Sequence, residues 1–395
     1  MSKTDVLIVG GGPAGLLAAV HLSKRHRVTL IEQGRLGQTS KFWVTTERRL
    51  KKHHLADCIL YKTSRTVAGT FLGGEVSAEG DFAVVDDQRV LQTLIERCRE
   101  HGVILIENCS LLNLVWNKHY IQANTTSGSF NARVIGDASG GGSLIAKTFH
   151  LHQIDGYYIV YGGLIKNIKL HTRDIVLGHV TQLGDPPPIL EVIPTGEDSA
   201  YCVTFVFSRT FVEPKSIAGK FEDQCRYNPF FDMTPESLRG VEKAGVIPIG
   251  RRRRRKLPGL VSLGEAGLIQ PPLLATSFNE VLEHTESVCS QISSALARSE
   301  DLPELPRRLY PLLKRAQDRL QLPIVRSFID GDIERLDKVL RIMGKLPASL
   351  NFKFFSHELT WGHLASIAIH LQLHLLLGNV IGANPRSAEI RSENP

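Results

Sequence analysis

The sequence predicts an α/β fold: a doubly wound parallel domain, an antiparallel β-sheet domain inserted into it, and a helical C-terminus. Three observations predict this. An apolar, β-branched run at 6–9 leads into a glycine-rich turn. Two more strand-then-glycine segments return at 132–142 and 260–284. Between them, from about 156 to 249, the pattern changes to short β-rich runs separated by Gly- and Pro-containing turns.

Residues 6–9 (VLIV) have the composition of a strand buried on both faces. Gly10, Gly12 and Gly15 follow in G-x-G-x-x-G spacing, with Pro13 and Ala14 where a helix begins, running to about Ser23. A second strand, 27–31, ends in Glu32 and Gln33. Gly10 permits the tight turn, Gly12 admits a pyrophosphate, and Gly15 lets helix and strand pack closely. The helix N-terminus stabilises the phosphate charge, and Glu32 stands where an acid accepts from the adenosine ribose. Strand, glycines, helix, strand and acid in that order predict a dinucleotide site.

Further elements follow in order. Residues 88–101 carry Val90, Leu91, Leu94 and Ile95 at helical spacing, and a strand follows at 103–107. Runs 114–123 and 129–135 flank "NTTSG" as a hairpin. Runs 158–165, 189–193 and 201–207 predict an antiparallel sheet. Residues 1–150 with 256–300 are expected to form the nucleotide domain, 151–255 the substrate domain, and 301–395 a helical region.

The segment "ARVIGDASGGG" (132–142) reads as a strand running into Asp137 and glycines. "LVSLGEAGLIQPPLLATSFNEVLEH" (260–284) reads as a strand, Gly264-Glu265, a loop with Pro271 and Pro272, and a helix from about Ser277. This resembles the flavin-binding segment of aromatic-hydroxylase-like flavoproteins. The resemblance implies FAD, with Glu265 toward the ribityl chain and the loop and helix start, with Asn279, near the isoalloxazine. Glu265 replaces the usual Asp, and Leu274, Ala275 and Ser277 stand where glycines are common. No second glycine fingerprint follows, so no separate NAD(P)H domain is expected.

Other stretches carry a second likeness. "SKFWVTTERRLKKHHLADCI", "DFAVVDDQRVLQTLIERCREHGV", "ILEVIPTGEDSAYCVTFVF" and "VIPIG…LPGLVSLGEAG" resemble, in order, blocks of the lycopene cyclase and geranylgeranyl reductase flavoproteins. That resemblance implies FAD and a long apolar substrate, often met at a membrane. The chain departs from the cyclases at two points. Their paired-glutamate strand is matched by Tyr201-Cys202-Val203-Thr204-Phe205, without a carboxylate. Asp87, with Arg89 two residues on, stands where they have an arginine.

Composition narrows the partners. The chain has 395 residues, 42% hydrophobic, and enters its first strand without a signal segment. Six scattered cysteines with no C-x-x-C pair suit a reducing, cytoplasmic setting. The net charge of +7 comes from 47 basic and 40 acidic residues; "RRRRRK" at 251–256 holds six of the 47, so the rest is balanced. Aromatic platforms beside a basic face are missing, which excludes nucleic acid. Arg252, Arg253 and Arg254 are expected to be either a solvated hairpin or an anion site, for lipid headgroups or an acidic group on the substrate.

Four features have two readings each. Glu191 sits in an apolar strand; alternation is expected to turn it to solvent, but facing a substrate it would have a raised pKa and act as general acid or base. His363, His370 and His374 share a helical face, preferred as a polar stripe over a metal site. Phe42 and Trp43 are expected in the core, with packing near the flavin as the alternative. Residues 364–382 read as an amphipathic helix over the substrate cavity or at a membrane surface, or as core. Three function classes remain: redox-neutral cyclisation or rearrangement of a polyene, isoprenoid or polyketide-like molecule; flavin-dependent monooxygenation or double-bond reduction; and an inactive flavoprotein binding an apolar ligand.

Overall fold

The computed structural model describes residues 2–39, 41–181, 184, 186–238, 243–253, 255, 257–298, 300–306 and 309–370. Its first strands are β1 (Ser2–Val9), β2 (Val28–Ile31), β3 (Trp43–Thr46), β4 (Ile59–Thr70), β5 (Glu75–Val85), β6 (Ile104–Ile106), β7 (Leu111–Trp116), β8 (Ile121–Thr125) and β9 (Gly128–Asp137). There follow β10 (His152–Lys166), β11 (Lys169–Leu170), β12 (Ile175–Val180), β13 (Ile189–Pro194), β14 (Ser199–Ser208), β15 (Phe231–Asp232), β16 (Lys243–Arg252) and β17 (Leu260–Ser262). The α-helices are α1 (Pro13–Ser23), α2 (Glu47–Lys52), α3 (Asp87–Glu100), α4 (Leu144–Thr148), α5 (Ala218–Arg226), α6 (Ser277–Arg298), α7 (Leu312–Ile329), α8 (Ile333–Met343) and α9 (Ala348–Phe355), and a further helical turn runs over 361–370.

The first sheet has the order β6-β2-β1-β9-β8-β7, with β17 also on β9. β6, β2, β1, β9 and β17 run parallel; β7 and β8 return antiparallel. Helix α1 is apolar all round: Leu16, Leu17, Ala18, Ala19, Val20 and Leu22 are all buried. It therefore lies inside, against the sheet, α3 and α6. Helix α3 is one-faced, burying Val90, Leu91, Leu94, Ile95 and Cys98, and Asp86 caps it by accepting from the Arg89 N–H at 3.0 Å. The expected single strand at 114–123 is broken by a turn, where the Asn117 N–H bonds the Tyr120 carbonyl at 2.9 Å.

The second sheet has eight strands, β16-β10-β14-β13-β12-β4-β5-β3. All neighbours are antiparallel except β12 on β4. It is not confined to 151–255: β3, β4 and β5 come from 43–85, inside the stretch expected to belong to the nucleotide domain. The chain leaves the first sheet twice, and both excursions pair edge to edge. One face of this sheet is covered by α5, with Leu190, Val192, Cys202, Phe221 and Cys225 in its core. The other is covered by α7, α8 and α9, with Ile189, Ile193, Phe207, Phe328, Leu336 and Phe355. Arg251 and Arg252, expected in a hairpin, instead end β16, where Arg251 pairs Gln153 and Arg252 pairs His152.

A buried charge cluster fastens the C-terminal helices to α6. Glu280 meets His357 Nδ1 at 2.5 Å, His284 Nε2 at 3.3 Å and Lys314 Nζ at 3.4 Å. Lys314 reaches Asp318 at 3.0 Å, and Asp318 lies 3.5 Å from His357 Nε2. Although burial alone would raise the Glu280 carboxyl, the surrounding cations Lys314 and His357 hold it well below its ordinary range. His357 moves up: burial opposes its charge, but Glu280 and Asp318 outweigh that.

Candidate functional site

Two adjoining cavities form the site. The first, about 610 Å³, lies over the β1–α1 turn at the carboxyl ends of the parallel strands, where doubly wound sheets bind ligands. Gly10 has φ +110°, and a Cβ there would fall 2.4 Å from the Ala138 carbonyl oxygen. A Cβ on Gly15 would fall 2.0 Å from the Gly10 oxygen. Gly12 differs: a Cβ there meets nothing within 4 Å, and its backbone is extended. The space over Gly12 is thus open to the cleft, as approach of a pyrophosphate requires. Pro13, with no N–H to leave unsatisfied, opens α1 behind it.

Glu32 accepts from the Gly11 N–H at 2.7 Å and the Gly34 N–H at 3.0 Å. Each carboxylate oxygen keeps a lone pair for a ribose hydroxyl. Gln33 lines the same cleft, as do Glu265 and Gly264. Gly264 has φ +57° and packs so closely on Ala14 that a Cβ would lie 2.7 Å from the Ala14 methyl. Ala14 therefore sets the distance between α1 and the 264–265 segment. Asp137 is buried under the loop, with both oxygens taken by Ser139 and Ser143 hydroxyls at 2.6 Å; burial raises its carboxyl, and those hydrogen bonds oppose the rise. It holds the loop rather than facing the cleft.

The second cavity, about 320 Å³, lies between the second sheet and helices α7–α9. Its walls are mostly aliphatic and aromatic. The two cavities share Lys41, Trp43, Glu265 and Ser277, so the apolar one opens onto the nucleotide cleft at the 264–265 segment. Glu265 is held there by the Ser277 hydroxyl at 2.9 Å and by Lys41 Nζ at 3.5 Å. Trp43 stacks on Phe278 (centroids 4.5 Å apart) while lining both cavities, so it is core and wall together; Phe42 lines the apolar one. Asn279 also lines that cavity, and its Oδ1 is buried without a hydrogen-bond partner among the described residues.

Glu191 is the main correction. Alternation does set it on one face of β13, with Ile189 and Ile193, but that face is covered by the C-terminal helices rather than by water. Its side chain enters the apolar cavity, with no hydrogen-bond partner among the described residues. Burial pushes its carboxyl up to about 8. Tyr158 lies close by, its hydroxyl fixed on the Pro272 carbonyl at 2.7 Å and also directed to the Leu273 carbonyl. The same loop is tied to α7 where the Leu273 N–H bonds Gln321 Oε1 at 3.0 Å.

Arg251, Arg252 and Arg253 line neither cavity. Arg252 turns inward at the strand end, where burial lowers its pKa and Tyr310 and Asp137 oppose the shift. Arg253 is exposed, and Arg254 and Lys256 lie outside the described residues. The Thr360 N–H bonds His363 Nδ1 at 3.2 Å; His374 and residues 371–382 lie outside the described residues. Among the described residues there is no cluster able to hold a metal, and no helix long and apolar enough to cross a membrane. Sequence reasoning did not single out Lys41, Tyr158 or Lys243. Nothing in their local sequence marks them, since each reaches the site only through strand pairing or helix docking.

Residues 5–44 match the family profile described as FAD dependent oxidoreductase. No curated protein sequence matches the chain. Among solved structures, a geranylgeranyl bacteriochlorophyll reductase-like protein from Thermoplasma acidophilum has a TM-score of 0.72 at 13% identity, over 96% of this chain and 100% of that one. The p-nitrophenol 4-monooxygenase PnpA from Pseudomonas putida has a TM-score of 0.63 at 15% identity, over 97% and 100%. A halogenase, PltM, solved with phloroglucinol and FAD, has a TM-score of 0.65 at 13% identity, over 97% and 93%. These likenesses establish a common fold. The match at residues 5–44, which build the glycine turn and Glu32, makes FAD the cofactor of the cleft.

Proposed function

We propose that the chain is an FAD-dependent enzyme acting on a large apolar small molecule, held in the cavity between the second sheet and α7–α9. The observation that carries this is the shared wall of Lys41, Trp43, Glu265 and Ser277, which joins an apolar cavity to the nucleotide cleft. The glycine turn and α1 would hold the pyrophosphate, Glu32 the ribose, and Glu265 and Asn279 the flavin end. FAD supplies hydride and electron transfer when bound. The chain's own residues exclude water with aliphatic and aromatic walls, and Tyr158 anchors the 271–276 loop on the sheet. Oxidoreductase chemistry, monooxygenation or double-bond reduction, is the reading that the N-terminal unit and the fold relatives support.

A second reading, redox-neutral cyclisation or rearrangement of a polyene, is favoured by Glu191. With a pKa of about 8 it is protonated at neutral pH, in an apolar wall, without a counter-ion. It can give a proton from its carboxyl oxygen to a bound double bond and recover one. The deciding experiment incubates the FAD-loaded protein with polyprenoid and polyketide substrates, with and without NADPH in air, and weighs the products. A gain of oxygen indicates monooxygenation, a gain of hydrogens reduction, and unchanged mass rearrangement. No product from any of them, under any condition, counts against an enzyme.

Glu191→Gln tests the carboxyl without needing the substrate. Between about pH 4.5 and 8 the folded chain keeps a proton on Glu191 that the unfolded chain has lost, so wild-type stability falls as pH rises through that window. Glutamine cannot titrate. The variant is therefore expected to match wild type at pH 4.5 and below, and to be more stable by about 1–3 kcal/mol at pH 9, discounted for the side of Glu191 that meets the cavity. Urea denaturation at the two pH values checks this; an unchanged difference across pH would mean that Glu191 has an ordinary carboxyl. Turnover, once a substrate is found, should fall by about 10²–10⁴ if Glu191 is the acid.

A further inference from the structure

Among the described residues that line the apolar cavity, Lys243 is a cation without an ion pair. Lys243 Nζ stands over two rings that line the cavity, 5.5 Å from the Phe42 centroid and 5.6 Å from that of Tyr201. Neither ring satisfies its three N–H donors, and no carboxylate among the described residues lies within ion-pair distance. The other cation at the cavity, Lys41, differs in being held by Glu265. Asp87 is the acid whose pKa responds to Lys243, through a contribution smaller than that of burial, and the two form no ion pair.

Strand register places Lys243 with respect to Glu191. Lys243 pairs Gly162, Gly162 pairs Val203, and Val203 pairs Glu191. The four residues form one row across β16, β10, β14 and β13, and residues in register share a face. The ends of the row are three strand spacings apart, about 14 Å. Between them stand no side chain at all and a valine. The gap at Gly162 is enforced, because φ there is +152° and a Cβ would lie 2.2 Å from the Cys202 carbonyl oxygen. A cation and a carboxyl thus face the cavity from the two ends of a low, apolar row, too far apart to neutralise each other.

We propose that the cavity takes a long apolar molecule with an anionic head, such as a carboxylate. The head sits on Lys243 and the apolar body lies along the row toward Glu191. This rests on the reading of the cavity as the substrate site and deepens it, since an uncharged hydrocarbon leaves Lys243 unpaired. It also moves the anion site expected at the arginine run to a lysine that only strand pairing brings to the cavity.

The test uses the FAD-loaded full chain, with cis-parinaric acid and its methyl ester as fluorescent probes of equal length and unsaturation. The acid is expected to bind wild type at least about tenfold more tightly than the ester. Lys243→Met keeps the apolar stem, so it should lower acid affinity to that of the ester and leave ester affinity unchanged; Lys243→Arg should restore the preference. Equal binding of acid and ester by wild type overturns the proposal without any variant, as does a preference that survives Lys243→Met. If neither probe binds, the reading of the cavity as an apolar substrate site falls as well, an outcome distinct from loss of the head-group preference alone.

Discussion

Gly12→Val is expected to leave the chain folded and to abolish FAD binding, whereas Gly10→Val is expected to destroy both. The difference lies in what a side chain would meet. At Gly12 the backbone is extended and a Cβ meets nothing within 4 Å, so valine costs the apo fold little and its methyls project into the space a pyrophosphate needs. At Gly10 the φ of +110° disfavours any L side chain, and the Cβ would be driven into the Ala138 carbonyl at 2.4 Å. FAD affinity of Gly12→Val should fall by at least about 100-fold, equivalent to about 2.7 kcal/mol. Flavin fluorescence titration reads the affinity, and thermal melting without FAD reads the fold. A Gly12→Val protein that binds FAD like wild type would show that the pyrophosphate does not pass over this residue.

Glu280→Ala is expected to cost about 3–5 kcal/mol, because it leaves Lys314 and His357 buried without their shared carboxylate. Urea denaturation checks it, and a loss below about 1 kcal/mol would mean that the cluster is well hydrated. The pH profile carries a second signature. The Glu280 carboxyl is held low, so its contribution is present above its ordinary 4.5 and is lost as pH falls through the lower folded value. The His357 imidazole is held high, so its contribution is present below its ordinary 6.5 and is lost as pH rises through the higher folded value. Wild type should draw most from the pair between about 4.5 and 6.5, and Glu280→Ala should flatten that maximum. The cluster also fastens α7 and the segment after α9 over the cavity, so the same variant should loosen apolar ligands.

The nucleotide cleft was largely legible in the sequence. Gly10, Gly12, Gly15 and Glu32 act within one βαβ unit, and their spacing is dictated by a local turn. Gly264 and Glu265 were legible through the strand and loop around them, whereas Asn279, read with them, lines the apolar cavity. The position of the arginine run was not legible, since a charged stretch shows neither that β16 continues through Arg252 nor that alternation turns Arg252 inward. The extent of the second sheet was also hidden. β4 and β5 have ordinary strand patterns, but β4 also pairs β12, which lies about a hundred residues away.

By itself the sequence determined the dinucleotide turn, the order of the flavin segments, the apolar face of α3 and three strands of the second sheet, β10, β13 and β14. These depend on neighbours within a few residues, where backbone geometry and the periods of strand and helix apply directly. Only the tertiary structure decided which face of the second sheet is a cavity wall, and so whether Glu191 meets open water or the apolar cavity. Alternation divides a strand into two faces but does not say which one distant helices will cover. The same holds for Lys243. Its place opposite Glu191 depends on the register of four strands in succession, and a slip of one residue in any pairing would turn one of the two away from the cavity.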